Sequence, residues 1–156
     1  MENPFFNSPS ILAKHWRSLR KNLTADKTDL EHLQLVANFW SQAPISAAFL
    51  DWDQPGIWFG PWELIAEKDY DISSVALGIE YTLLLAEDQR WSADRLTLAL
   101  ASTHDKSQQL LVLIVDNNYV LNYEWGRVVT IDQASKELVM QQSYQYNNKM
   151  HIFKDS

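Results

Sequence analysis

The sequence contains no cysteine, and this absence excludes several kinds of site. A disulfide framework, a zinc site with thiolate ligands, an iron–sulfur cluster and a thiol nucleophile all need that residue. A packed core must then hold the fold together. A domain of about 150 residues buries roughly 70% of the surface that its unfolded chain exposes. We therefore expect the 156 residues to form one domain around an apolar core.

Positive charge is scarce as well. Thirteen Lys and Arg residues stand against twenty Asp and Glu residues, which gives a formal net charge of −7. Proteins that bind nucleic acid do so largely by neutralising phosphates with cations. The carboxylates are scattered along the chain, which is typical of an ordinary acidic surface. We therefore expect no nucleic-acid partner.

Long hydrophobic runs are missing. The longest apolar runs, at 83–86 and 110–115, are too short to span a bilayer. The N-terminus shows no basic region followed by an apolar stretch, which a secretion signal would need. We expect a protein with no signal peptide, no transmembrane segment and no membrane partner.

Metal-binding and phosphate-binding motifs are not found. The four histidines show no metal-ligand spacing, and Asp51 and Asp53 lack the further oxygen ligands of a calcium loop. The four glycines form no phosphate-binding loop. We expect neither a metal nor another cofactor.

Two amphipathic helices are predicted in the N-terminal part, residues 1–44. Ser8 and Pro9 are typical of a helix start, and apolar residues follow at helical spacing. Thr28 and Glu31 form the capping-box pattern of a second helix. The basic residues of the first helix fall outside its apolar face: Lys14, Arg17, Arg20 and Lys21.

A tryptophan-rich connection follows at residues 45–70. It has no regular period, contains a short helix after Pro61, and carries Trp52, Trp58 and Trp62. Two interpretations stay open for these indoles. They cover the edge of the core, or they bind a glycan or small ligand, in which case all three must be exposed on one face.

Residues 71–156 are predicted to form a core helix and an antiparallel sheet. The helix, from Asp71 to about Glu87, is apolar nearly all round, with small Ala76 and Gly78 permitting close approach. Alternating apolar and polar residues then indicate strands joined by tight turns. The fold class is α+β: N-terminal helices and one buried central helix packed on an antiparallel meander of about five strands.

Four segments of this part match the motifs of a known family in order. They are Asp71-Ile-Ser-Ser-Val-Ala-Leu, Ala93-Asp-Arg-Leu-Thr-Leu, Leu110-Leu-Val-Leu-Ile-Val and Tyr119-Val-Leu-Asn. In this respect the chain resembles the bacterial transglutaminase-like cysteine proteinases, which have a papain-like fold. The resemblance implies that fold and a site where the core helix meets the second and third strands.

The resemblance also implies which residues occupy the catalytic positions. The family places a cysteine at the first turn of the helix, a histidine at the start of the second strand and an acid or asparagine on the third. Ile72 stands at the cysteine position and Asn122 at the third. Leu110 stands at the histidine position, or Gln109 if the frame shifts by one. A degenerate triad of Ile72, Leu110 and Asn122 predicts a pseudoenzyme, so the chain is expected not to be an enzyme.

A second resemblance suggests a biological setting. Asp51-Trp-Asp and Trp58-Phe-Gly-Pro-Trp-Glu-Leu-Ile are similar to segments of small uncharacterised proteins of tailed bacteriophages. The leading hypothesis is a non-catalytic structural or protein-binding component of a phage particle, in its tail or baseplate. Its partners would be other virion proteins, and its location the virion or the bacterial cytoplasm.

Two alternatives stay open. The first is a hydrolase with a non-cysteine site near Ser73 or Ser74, together with Glu80 and His104, which requires His104 within hydrogen-bond reach of a serine hydroxyl. The second is a glycan-binding or small-ligand module that uses Trp52, Trp58 and Trp62.

Overall fold

A computed structural model describes residues 3–46, 50–67 and 69–154. Within these ranges the chain forms five α-helices and one six-stranded antiparallel sheet, so the predicted α+β class is confirmed, with six strands rather than about five. The helices are α1 (Pro9–Asn22), α2 (Asp29–Trp40), α3 (Pro61–Ile65), α4 (Ile72–Leu84) and α5 (Ile131–Ser135). The strands are β1 (Leu96–Thr103), β2 (Gln109–Val115), β3 (Tyr119–Leu121), β4 (Val128–Thr130), β5 (Leu138–Tyr146) and β6 (His151–Phe153).

Local sequence explains where the helices begin. The Thr28 hydroxyl accepts from the Glu31 amide and the Glu31 carboxylate accepts from the Thr28 amide, which completes the predicted capping box of α2. Pro9 occupies the first turn of α1, as predicted. Ser8 lies at the N-cap position, but its side chain makes no capping hydrogen bond there.

The sheet is a meander for only four of its strands. The order is β4-β3-β2-β1-β5-β6, so β5 returns to the free side of β1 after α5 instead of continuing beyond β4. The register between β1 and β5 shifts between Leu100 and Ala101, which is a β-bulge. The bulge lies near the end of β1, where β2 begins.

The core lies mainly between α4 and one face of the sheet. Leu77 and Leu83 of α4 are fully buried with Leu111 and Leu113 of β2 in the larger of two apolar clusters. A smaller cluster covers the opposite face of the sheet, under α5. Because α4 is buried nearly all round, its ends are the parts that reach the surface.

A shared hydrogen-bond acceptor, Thr82, joins α1 and α2 to the C-terminal half of α4. The Trp16 and Trp40 indole N–H groups both donate to the Thr82 hydroxyl, at 2.8 and 2.9 Å, and that hydroxyl donates to the Gly78 carbonyl at 2.6 Å. A Cβ atom at Gly78 would come within 2.4 Å of the Trp40 ring. The predicted close approach on α4 is therefore confirmed at Gly78.

No helix in the described part of the chain is both long enough and apolar enough to cross a membrane.

Candidate functional site

The first turn of α4 is held in place by the residue before it. The Asp71 carboxylate accepts from the Ser73 amide at 3.1 Å and from the Leu50 amide at 2.7 Å. One carboxylate therefore caps α4 and ties the tryptophan-rich connection to it. Ile72, the first residue of the helix, keeps its side chain 45% exposed.

Asn122 links this turn to the sheet. It follows β3 with a φ of +68°, a left-handed conformation that asparagine tolerates better than most residues. Its side-chain amide donates to the Ile72 carbonyl and to the Leu111 carbonyl, each at 2.9 Å. Two of the three predicted triad positions, Ile72 and Asn122, are thus in direct contact.

Leu110, the third predicted position, does not face α4. It pairs with Ala101 and packs against the smaller cluster on the opposite face of the sheet. The residues that alternate onto the α4 face are Gln109 and Leu111, because successive side chains of a strand point to opposite faces. Gln109, which the shifted frame puts at the histidine position, is therefore the residue that faces α4.

Gln109 belongs to a small cluster of hydrogen-bonded polar side chains. Its amide donates to the Gln141 carbonyl oxygen at 3.0 Å, and the Gln141 amide donates to the Ser102 hydroxyl at 2.9 Å. Ser102 is almost completely buried, whereas both glutamines are exposed. Together with Ile72 and Asn122, these residues form what we call the α4-start surface.

Gln141 and Ser102 were missed by sequence reasoning. Gln141 reaches Ser102 because it lies in the bulge where β5 loses register with β1. The two residues are 39 positions apart and belong to no local motif. Only the pairing of β5 with β1 brings them together.

The proposed serine site is not assembled. Ser73 and Ser74 are buried, and the Ser73 hydroxyl accepts from the Trp52 indole at 3.3 Å. The His104 ring nitrogen donates a hydrogen bond to the Lys136 carbonyl at 3.0 Å. In the described part of the chain no hydrogen bond joins His104 to either serine.

Glu80 pairs with a histidine inside the core. Its carboxylate lies 2.5 Å from the His151 ring nitrogen, and each residue is only 1% exposed. The Tyr146 and Trp58 rings pack around His151 at 5.0 and 5.2 Å. This pair joins α4 to β6 two helical turns away from Ile72, so it is separate from the α4-start surface.

The three tryptophans of the connection are not exposed together. Trp58 is 8% exposed, packs on Tyr144 and donates to the Asp51 carbonyl. Trp52 is half-buried against Ser73. Trp62 is 57% exposed and packs edge-on against Trp16 instead. The shared exposed face that ligand binding by all three requires does not form.

Candidate metal ligands do not cluster either. Across residues 3–46, 50–67 and 69–154, no group of three or more His, Asp or Glu side chains is placed to hold a metal ion.

Comparison with solved structures places this geometry in a known fold. The chain is similar to LapG. Calcium-bound LapG of Legionella pneumophila superposes with a TM-score of 0.70 at 17% identity, over 97% of this chain and 83% of that one. A second LapG structure has a TM-score of 0.70 and 19% identity, over 93% of this chain and 81% of that one. The EGTA-treated form has a TM-score of 0.70 and 18% identity, over 97% of this chain and 81% of that one. No protein-family model and no curated sequence matches the chain.

This likeness shows the fold and corrects one prediction. LapG is a bacterial transglutaminase-like cysteine protease, so the resemblance drawn from Asp71 to Asn122 is supported at the level of the fold. The prediction that the chain is not an enzyme is overturned, because the structures that it matches are those of an enzyme. With it, the interpretation as a pseudoenzyme loses its support. The chain contains no cysteine, so a thiol is not among the groups that it brings to the site.

Proposed function

We propose that the chain binds an extended polypeptide segment of another protein at the α4-start surface. The observation that carries this proposal is the exposed, hydrogen-bonded pair Gln109–Gln141 at the start of β2. Asn122 ties the carbonyl of Leu111, two residues further along that strand, to that of exposed Ile72.

The chemistry of these side chains suits a peptide main chain. A carboxamide carries both donors and acceptors, as a peptide group does. In the pair, the Gln109 oxygen and one N–H of each carboxamide are not engaged with each other or with Ser102. The exposed Ile72 side chain at the first turn of α4 offers an apolar contact to the same segment.

The site is also preorganised. Asn122 is only 8% exposed and binds the carbonyls of Ile72 and Leu111, so the first turn of α4 and the start of β2 keep a constant spacing. A surface whose parts are already in place loses less conformational entropy on binding.

The fold favours a polypeptide ligand over a small molecule. LapG is a protease, and a protease must hold a polypeptide. The finer hypothesis, that the partner is a virion protein of a bacteriophage, stays a prediction from the sequence.

Selection of a random peptide library on the immobilised protein tests the proposal. Fluorescence anisotropy then compares the selected peptides on the wild type and on the double variant Gln109→Ala/Gln141→Ala. We expect the double variant to bind about tenfold more weakly, which is about 1.4 kcal/mol. Mass spectrometry of the bound peptides reports any cleavage, which would extend the proposal from binding to catalysis.

Gln108→Ala is the matched control, since this exposed glutamine precedes Gln109 in the β1–β2 loop. We expect it to leave the affinity unchanged. Peptides that bind the double variant as tightly as the wild type, or a library that yields no binder, would overturn the proposal.

A further inference from the structure

Helix α1 concentrates positive charge on an acidic protein. It holds four of the thirteen Lys and Arg residues in fourteen positions and contains no Asp or Glu, whereas the whole chain has a net charge of −7. These residues are called the basic stripe: Lys14, Arg17, Arg20 and Lys21.

The stripe lies on one side of the helix. Residues three and four apart are neighbours on a helix surface, which aligns Lys14, Arg17 and Lys21, with Arg20 beside Arg17. The buried residues of α1, Leu12, Trp16 and Leu19, occupy the other side. Lys14, Arg17 and Lys21 are exposed, and Arg20 is half-buried.

Glu87 lies near Arg20, but no close ion pair in the described part of the chain neutralises the stripe. Among the residues that the structure describes, no carboxylate forms an ion pair with any member of the stripe, whereas Arg90 and Arg95 pair with Asp29. Like charges at helical spacing destabilise a helix by about 0.2–0.5 kcal/mol per pair. The helix dipole stabilises cations only in the last turn of a helix. It therefore favours Arg20 and Lys21 at their positions but does not stabilise Lys14 and Arg17.

An exposed tryptophan borders the stripe. The Arg20 guanidinium lies over the Trp16 ring at 4.3 Å and over the Trp62 ring at 5.3 Å. Burial and the neighbouring Arg17 lower the pKa of Arg20, and Glu87 opposes this change. Arginine and tryptophan are among the residue types that most often dominate the binding energy of protein interfaces.

We propose that the basic stripe and Trp62 form a second docking surface, which binds an acidic segment of a partner protein. Charge complementarity selects the ligand class. Leu12, Trp16 and Leu19 of α1 are already buried in the core, so most of its apolar face is not available to insert into a membrane. A long nucleic acid would extend past the four cations and be repelled by the rest of the protein, because the chain has a net charge of −7. A short acidic segment would contact the four cations alone.

Anisotropy titrations with a short fluorescein-labelled oligoglutamate peptide test this proposal. We expect the wild type to bind the peptide at low salt and more weakly at about 0.15 M salt, where the screening length falls to about 8 Å. The triple variant Lys14→Gln/Arg17→Gln/Lys21→Gln should bind at least tenfold more weakly. Trp62→Ala should weaken binding severalfold without changing its dependence on salt.

The matched control is Lys106→Gln/Lys136→Gln/Lys149→Gln, which removes three exposed positive charges elsewhere and leaves the same net charge. We expect it to bind within twofold of the wild type. An equal loss in the control, or no binding by the wild type, would overturn the proposal. Tighter binding of single-stranded DNA of equal charge, or of phosphatidylserine vesicles, would overturn the assignment to an acidic polypeptide.

Discussion

A close contact between α2 and α4 depends on the absence of one side chain. Gly78 lies in the middle of α4, where glycine disfavours a helix by about 1 kcal/mol relative to alanine. Its position is explained by the Trp40 ring, which occupies the space that a Cβ would need. The small residue could be recognised in the sequence, but its partner, 38 positions earlier, could not.

Gly78→Ala is predicted to destabilise the protein, although alanine is the better helix former. A Cβ within 2.4 Å of Trp40 forces the indole or the helix to move, and overpacking typically costs about 1–3 kcal/mol. Urea unfolding measures the change. Gly56→Ala is the control, because its Cβ would meet the Met150 sulfur at an ordinary 3.5 Å. A Gly78→Ala protein as stable as the wild type would contradict the assigned packing.

Thr82→Val is predicted to lower the free energy of unfolding by at least about 2 kcal/mol. The variant keeps the shape of the side chain but removes the acceptor shared by the Trp16 and Trp40 indoles, which leaves two buried N–H groups unpaired. Thr82→Ser keeps the hydroxyl and should recover most of the stability. Equal stabilities of the valine and serine variants would show that these hydrogen bonds contribute little.

The contact between α4 and β6 depends on a buried pair. Mid-helix Glu80, which the sequence offered as part of a hydrolase site, is instead paired inside the core. Its partner could not be foreseen, because His151 is 71 residues away and belongs to a strand whose place at the sheet edge follows from the crossing of β5.

His151→Phe is predicted to cost about 3–5 kcal/mol, because it leaves the Glu80 carboxylate buried without its partner. The double variant Glu80→Leu/His151→Phe replaces both polar groups by apolar ones and should recover part of that loss. A double-mutant cycle by thermal or urea unfolding gives the coupling energy. Additive effects of the two substitutions would contradict a coupled pair.

The elements that form the α4-start surface differ in how well the sequence predicts their contribution. The start of α4 and the end of β3 carry recognisable residues, Asp71 and Asn122, and the structure brings them to one place. The face of β2 was harder to assign, because a shift of one residue exchanges the two sides of a strand. Leu110 and Gln109 are therefore distinguished only by the pairing with β1. Gln141 depends on a bulge that leaves no local signal.

At the scale of the whole molecule, the fold is predicted to lose stability in alkali. Burial raises the pKa of Tyr144 to about 12, and the hydrogen bond to Glu137 raises that of Tyr123 to about 12. Since the unfolded chain releases these protons near pH 10 and the folded protein holds them longer, stability falls between about pH 10 and pH 12. Ultraviolet absorbance measures the ionisation of the tyrosines as the pH is raised, and circular dichroism of the same samples measures unfolding. Ionisation of all six tyrosines near pH 10 in the folded protein would contradict this prediction.

The central claim is that a polypeptide binds at the α4-start surface, and NMR of the isotope-labelled protein tests it most directly. The side-chain amide signals of Gln109, Asn122 and Gln141 are reporters at the site itself. On addition of a library-selected peptide, we predict that these three signals and the backbone amides around Ile72 shift in a saturable way, while Gln108 does not. Shifts confined to other parts of the molecule, or no shifts at all, would contradict the account.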